Sequence, residues 1–371
     1  MKICILLPSL VGGGAEKLHI WLAKEWIHHD HEITFLVLDD QKVAGTLKTI
    51  IPKKCCIHVL GQKKIRRSLF PIINYLRKSK FDIFLVPMWP MTVVAVIAKF
   101  FSRSKSKIII SDHTNLTASR ESELKVPLII LQLTIMIFYR FADAIIAVSN
   151  GVQNDISTLG ALKKNLISVI YNPPALNQLD SYTDLSQTNL GWNSKYKHKI
   201  LGVGSLIKQK NFSNLIQAFF LMPKSIREDS QLIVLGEGIE RKALEKLIKD
   251  LSLESQISLP GFVIDPKPWF LSADLFVLSS SWEGFGIVLV EAMQSKLPIV
   301  STNCDSGPEE ILNNGEFGSL VECDNPKELS LAICKSLNKD HDYEKLFLRS
   351  QDFSIEKSSQ EYLNIFKKVL K

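Results

Sequence analysis

Short runs of valine, isoleucine and leucine recur at 2–7, 33–38, 81–86, 107–111, 143–148 and 166–170, then at 199–204, 231–235, 256–259, 274–278 and 298–301. Between them, at 15–29, 68–79, 91–101, 211–221, 239–251 and 286–295, apolar positions recur every three or four residues. Near-continuous apolar strands alternating with amphipathic helices predict parallel sheets covered on both faces. The stretch 172–197 breaks the alternation. It is polar, led by two prolines and aperiodic, and so reads as a linker. The expectation is an α/β chain of two doubly wound, Rossmann-like domains, at 1–175 and 198–353, joined by a linker over 176–197. An amphipathic tail at 354–371 forms a last helix, and periodicity does not fix the domain on which it packs.

Composition agrees with two buried cores: 371 residues, 46% hydrophobic and 22% charged. Six cysteines without CxxC or metal-ligand spacing read as reduced thiols of a cytoplasmic protein. Met1 leads almost directly into the strand-like KICILLP, which leaves no room for a signal peptide. Two apolar stretches, 81–101 and 126–139, are the nearest approach to a membrane span. The second is too short, and the first contains Asp82, two prolines and Lys99, so it parses as strand, loop and helix.

The net charge of +7 is unevenly placed. Residues 1–185 carry 23 Lys+Arg against 14 Asp+Glu, and the remaining 186 carry 22 against 24. The excess gathers in KKIRR (63–67), RKSK (77–80) and Arg103–Lys107. Such patches suit an anionic membrane or nucleic acid, and no nucleic-acid module accompanies them, so membrane is the expected partner. A merely solvated basic face is the plainer alternative.

The segment SSSWEGFGIVLVEAMQSKLPIVST (279–302) carries the clearest chemistry. Glu283 and Glu291 lie eight residues apart around a glycine-bearing turn that opens an apolar helix. A loop carboxylate can face a polyol, the helix start offers backbone N–H groups to phosphate, and a helical carboxylate can reach a second set of hydroxyls such as a ribose. On a helix the two would lie about 12 Å apart, roughly the span of a sugar diphosphate.

Other segments suit the same ligand. Glycines 12–14 follow the first strand, either approaching a phosphate or merely linking strand to helix, and they do not form GxGxxG. LGVGSLIKQKNF (201–212) places Lys208 and Lys210 just after a strand, where cations offset a diphosphate. GEG (236–238) is as readily a helix-entry turn as a contact, with Glu237 and Glu240 near a positive helix end. LPGFV (259–263) could present Phe262 and Val263 backbone to a base. IIISDHTNL (108–116) ends a strand in Ser111, Asp112, His113 and Thr114, and His113 is the histidine in a site-like setting. His19, His28, His29, His31 and His58 read as helix or loop surface, His198 as linker and His341 as a charged loop. SGPEEIL (306–312) reads as structural, shaping the wall beside Glu283.

Together these residues resemble the retaining glycosyltransferases of family 4. EGFGIVLVE (283–291) matches that family's E-x7-E signature, and GGAE (13–16), VGSL…KN, GEG, LPGFV and SGPEEIL occur in its order. The resemblance implies the GT-B fold, an interdomain cleft, and a tail that crosses back onto the first domain. It implies that Gly13 and Gly14 approach the donor diphosphate and that Lys210 neutralises it. It gives sugar and phosphate to the backbone of Gly284, Phe285, Gly286, Ile287, Val288 and Leu289. Glu283 takes sugar hydroxyls, Glu291 the ribose, Val263 the base, and His113 stands near the transferred sugar. Catalysis would rest on His113, Glu283 and Lys210. One position departs: Ser205 stands where the family usually has arginine, which removes a cation from the diphosphate unless Lys208 replaces it.

The expected activity is transfer of a hexose or N-acetylhexosamine from a nucleotide diphosphate sugar, with UDP preferred, to a lipid-linked or surface-polysaccharide hydroxyl. Retention, no metal, no cofactor, no nucleic acid and a peripheral place on the inner membrane face complete the expectation. A sugar-nucleotide epimerase on the same fold and a non-catalytic nucleotide-sugar-binding module are the alternatives.

Overall fold

The computed structural model describes residues 1–10, 14–39, 51–174 and 190–371. Gly12, Gly13 and most of the expected linker therefore lie outside the described residues. The chain divides into two compact units, Met1–Ala175 with Ser354–Lys371, and Leu176–Phe353.

The first unit contains β1 (Lys2–Leu7), β2 (Glu32–Val37), β3 (Cys56–Val59), β4 (Ile83–Pro87), β5 (Lys107–Asp112), β6 (Ala144–Ala147) and β7 (Ile167–Val169). They form one parallel sheet in the order β3-β2-β1-β4-β5-β6-β7. Ile3 lies opposite Ile33 on one side and Ile83 on the other. All three are buried, as expected for central strands with both faces covered.

The tail helix, Ile355–Leu370, belongs to this first unit. Its start is capped by the Ser354 side chain, which accepts from the Lys357 amide. Its apolar stripe meets the first helix, Gly14–His28, where the Trp26 ring lies 5.8 Å from Tyr362 and 5.3 Å from Phe366, edge to face.

The second unit contains β8 (His198–Val203), β9 (Ser230–Leu235), β10 (Ile257–Gly261), β11 (Leu275–Leu278), β12 (Ile299–Thr302) and β13 (Ser319–Val321), ordered β10-β9-β8-β11-β12-β13. Residues described before β8 pack on this unit: the Tyr196 hydroxyl donates to the Ser255 carbonyl, and the Trp192 indole donates to Ser272 Oγ. His198, expected in the linker, is the first residue of β8. In each sheet the strand order reverses once, between β1 and β4 and between β8 and β11. Crevices at the carboxyl ends of strands flanking such a reversal are where open α/β sheets take their ligands.

Several stretches differ from the sequence reading. β3 and β13 are edge strands of four and three residues, too short for an apolar run to register. The segment 126–139 contains a helix, Leu128–Phe138. Among the described residues no helix is long and apolar enough to cross a membrane.

Candidate active site

In the second unit the reversal between β8 and β11 brings two loops together. After β8 the chain makes a 3-10 turn, Lys208–Lys210, and Asn211 takes a left-handed conformation (φ 44°) to cap the helix Phe212–Leu221. This loop is bonded to the one after β11. Ser279 Oγ donates to the Lys210 carbonyl at 2.8 Å, and the Ser281 amide to the Gln209 carbonyl at 2.9 Å. Asn211 Nδ2 donates to Ser281 Oγ at 3.1 Å. The outcome is an ion pair: Lys210 Nζ donates to Glu283 Oε1 at 2.6 Å, and Ser280 Oγ donates to the same oxygen, also at 2.6 Å. Both partners are largely withdrawn from solvent, at 17% and 6% side-chain exposure.

Downstream of Glu283, Gly286 adopts φ 87° and the helix Ile287–Gln294 begins. Glu283 lies before this helix, so the 12 Å helical spacing does not apply. Glu291 is buried on this helix. The Ile287 and Val288 amides lie at the end where an α-helix leaves N–H groups without intrahelical acceptors. Phe285 is buried against Phe353.

The segment 301–312 forms the wall expected of it. Gly307 has φ 102°, and a Cβ there would come within 1.7 Å of the Phe285 carbonyl oxygen. Glycine is thus required for the turn to lie against the Glu283 loop. Gly236 is needed for a similar reason, because its Cβ would lie 1.9 Å from the Gly204 carbonyl oxygen. Glu237 is held by Arg241 Nη2 and Nε at 2.6 and 2.8 Å, a helix-entry brace. Ser205 and Lys208 are exposed, and Val263 is half-buried between exposed Phe262 and Ile264. A cavity of about 800 Å³ near Phe317, Leu331 and His341 shares no residue with this cluster.

In the first unit Gly14 is the first residue of the helix following β1, and Glu16 in its first turn accepts from Ser9 Oγ at 2.6 Å. At the carboxyl end of β5, His113 Nε2 lies 3.0 Å from Ser111 Oγ, which lies 2.9 Å from the Tyr362 hydroxyl of the tail helix. Asn172 Nδ2 approaches His113 Nδ1 at 3.5 Å. Burial, and secondarily the neighbouring His19, hold the His113 pKa well below the usual imidazole range. The ring is therefore neutral at pH 7, with one donor and one acceptor to offer.

His19 corrects the sequence reading. It is fully buried, not on a helix surface, and its ring meets that of His113 edge to face at 5.1 Å. Its Nδ1–H donates to the Ala15 carbonyl at 2.6 Å, leaving Nε2 as an acceptor without a partner among the described residues. Burial lowers its pKa to about 4. The signal was present: His19 lies four residues before Ala23 and seven before Trp26, on the core stripe of its helix. Asp112 is also fully buried, and its carboxyl group interacts with the Tyr139 side chain and the Trp89 backbone. Burial first, then the charge of Asp155, raise its pKa to about 7.

Residues 12–176 match the family model Glycosyltransferase Family 4, and residues 189–349 match Glycosyl transferases group 1. The chain is similar, at 27% identity over 91% of both chains, to an N-acetylgalactosamine-N,N'-diacetylbacillosaminyl-diphospho-undecaprenol 4-alpha-N-acetylgalactosaminyltransferase of Campylobacter jejuni. A GalNAc-alpha-(1->4)-GalNAc-alpha-(1->3)-diNAcBac-PP-undecaprenol alpha-1,4-N-acetyl-D-galactosaminyltransferase of the same organism is 24% identical, covering 100% of this chain and 99% of that one. Among solved structures, Anabaena Alr3699/HepE in complex with UDP and glucose superposes with a TM-score of 0.82 at 23% identity, over 99% of this chain and 100% of that one. With a family match on each of its two doubly wound units, the chain belongs to the GT-B glycosyltransferases, in the lineage of Glycosyltransferase Family 4 and Glycosyl transferases group 1.

Proposed function

We propose that the chain transfers a hexose or N-acetylhexosamine from UDP-sugar to a hydroxyl of a lipid-linked or surface-polysaccharide acceptor, with retention at the anomeric carbon. The observation that carries the reading is the Lys210–Glu283 pair at the reversal between β8 and β11, beside the start of the helix Ile287–Gln294. Among the described residues both hydrogen bonds to the Glu283 carboxylate fall on Oε1, so Oε2 is the oxygen that accepts a donor-sugar hydroxyl. Lys210 and the Ile287 and Val288 amides stabilise the departing diphosphate, and the reaction is drawn without metal or cofactor. Glu291 takes the ribose, Val263 the base, and Gly14 the diphosphate from the first unit. Neutral His113 hydrogen-bonds the transferred sugar, and the departing phosphate takes the acceptor proton on the same face.

A lipid-linked acceptor is supported by the two Campylobacter relatives, both named for undecaprenol-linked glycans. UDP is supported by the Anabaena neighbour, solved with that nucleotide. The working place is the inner face of the cell membrane, peripherally bound. A panel of nucleotide sugars with a short lipid-diphosphate acceptor, read by mass, tests this. One glycosyl addition is expected, lost at least about 100-fold in Glu283→Gln. An epimer formed from donor alone, or an unchanged Glu283→Gln enzyme, overturns the reading.

A further inference from the structure

We propose that Cys304 and Cys323 form a peroxide-reactive thiol pair, whose reversible oxidation to a disulfide lowers sugar transfer at the neighbouring Lys210–Glu283 site. The effect on transfer rests on the transferase reading, while the bond itself is detectable without any activity. β12 and β13 are parallel neighbours, with Thr302 opposite Val321. The ladder runs one residue further, because the Asn303 amide donates to the Val321 carbonyl at 2.7 Å. Cys304 and Cys323 each follow that pair by two residues, so they leave the sheet side by side. Adjoining strands lie about 4.8 Å apart, within the Cα separation of about 4.4–6.8 Å that a disulfide spans. The two side chains meet in a shared hydrogen bond.

The two thiols differ in access. Cys304 is buried, whereas Cys323 is half-buried and open to a small oxidant. The bond with Cys304 holds the Cys323 thiol below its usual range, against burial and the opposing charges of Asp324 and Asp305. Burial instead pushes the thiols of Cys4, Cys55 and Cys334 up. The thiolate is the nucleophile, so Cys323 attacks first. Its sulfur displaces hydroxide from hydrogen peroxide: S–O forms as O–O breaks, leaving a sulfenic acid, and the hydroxide recovers the Cys323 proton as water. The Cys304 sulfur then attacks Cys323. S–S forms as S–O breaks, and the hydroxyl leaves as water with the Cys304 proton. Two thiols lose two electrons, and the peroxide that gains them becomes two waters. Exchange with a reducing dithiol restores the pair.

The pair is wired to the transfer loops. Cys323 Sγ donates to the Ser280 carbonyl at 3.8 Å, beside Thr302 Oγ1 at 2.6 Å, and Ser280 Oγ holds Glu283 Oε1. The next residue, Asp324, accepts from Asn211 Nδ2 at 2.5 Å and from Ser281 Oγ at 3.1 Å. Drawing the sulfurs to the roughly 2.05 Å of an S–S bond takes Cys323 from Ser280 and pulls on both loops. A misplacement of about 1 Å at a catalytic site costs on the order of 100-fold in rate.

The test treats the reduced full chain with hydrogen peroxide and maps its thiols by mass on proteolytic peptides. Transfer from the nucleotide-sugar panel is measured before oxidation, after it, and after added dithiothreitol. One Cys304–Cys323 cross-link is expected, with transfer falling at least about tenfold and returning on reduction. Cys304→Ser and Cys323→Ser each abolish the cross-link, and Cys323→Ser keeps in peroxide the activity it has in reductant. A mapped cross-link in a chain that transfers no sugar even when reduced supports the thiol pair and fails the transferase reading alone. A map in which Cys304 and Cys323 stay reduced, or in which peroxide joins Cys56 to another thiol instead, overturns the proposal. So does a cross-linked enzyme whose transfer is unchanged.

Discussion

Lys210 Nζ donates to Glu283 Oε1 at 2.6 Å across 73 residues of sequence, and Ser280 Oγ donates to that same oxygen. The pair is largely withdrawn from water, so neither charge is solvated on its own. Removing one partner leaves the other buried and uncompensated. Lys210→Met and Glu283→Gln should each cost about 3 kcal/mol in denaturant unfolding, while the double variant recovers most of that loss. All three should lose sugar transfer. Additive stability losses would show that the two charges do not depend on each other.

The glycines separate structural from ligand-binding demands. A Cβ at Gly307 would strike the Phe285 carbonyl at a φ of 102°. Gly307→Ala should therefore lower stability by at least about 2 kcal/mol and disturb the Glu283 loop. At Gly14 an added Cβ meets no described residue within 4 Å. Gly14→Ala should leave the melting temperature unchanged or slightly raised, since alanine suits a helix better. If donor diphosphate approaches this glycine, UDP-sugar affinity measured by calorimetry falls about tenfold in the same variant. Retained affinity removes Gly14 from the site.

Much of this arrangement was legible in the sequence because the strands nearest each reversal are buried on both faces. β1 (KICILL) and β4 (IFLVP) read as apolar runs for that reason. β3, mostly exposed and paired only to β2, carries no such signature. At the site, Glu283, Glu291 and Lys210 stood out through their positions after strands. Their pairing did not, because it depends on the Ser279 and Ser281 bonds that lock two distant loops together. His19 was misplaced because a histidine in HIWLAKEWIHH looks like surface unless the core stripe is traced through it. Tyr362 comes to His113 only through the packing of the tail helix on the first unit.

The buried groups around β5 predict a particular pH dependence of stability. His19 and His113 have lowered pKa values in the folded chain, so the unfolded chain binds two more protons on them as pH falls below about 6.5. That component weakens the fold toward acid. Asp112 acts oppositely: its pKa rises from 3.8 to about 7, so the folded chain holds a proton that the unfolded chain releases. That component weakens the fold as pH rises from about 4 to 7 and is constant above. Below about pH 6.5 the two histidines outweigh Asp112, so the three together make stability rise with pH. Asp112→Asn removes the opposing proton and should steepen the slope. Denaturant titrations at half-unit pH steps measure it. An unchanged slope means Asp112 is ionised in the folded protein.

Ser205 is exposed immediately after β8, where the family usually carries arginine, and Lys208 is exposed three residues further on. Since Lys210 is already bonded to Glu283, its charge is partly offset before a diphosphate arrives. If the diphosphate binds at this loop as proposed, its remaining negative charge calls for a second cation, and Lys208 is the one this loop provides. Lys208→Ala should weaken UDP binding about tenfold, the scale of one charge-assisted contact. Ser205→Arg should strengthen it by a similar factor and make Lys208→Ala less damaging, because two cations would then compete for one role. A double-mutant cycle read by calorimetry, at low and high salt, measures that coupling. Additive effects would place Lys208 away from the diphosphate, and a Lys208→Ala enzyme with undiminished affinity would leave Lys210 and the helix amides as sufficient.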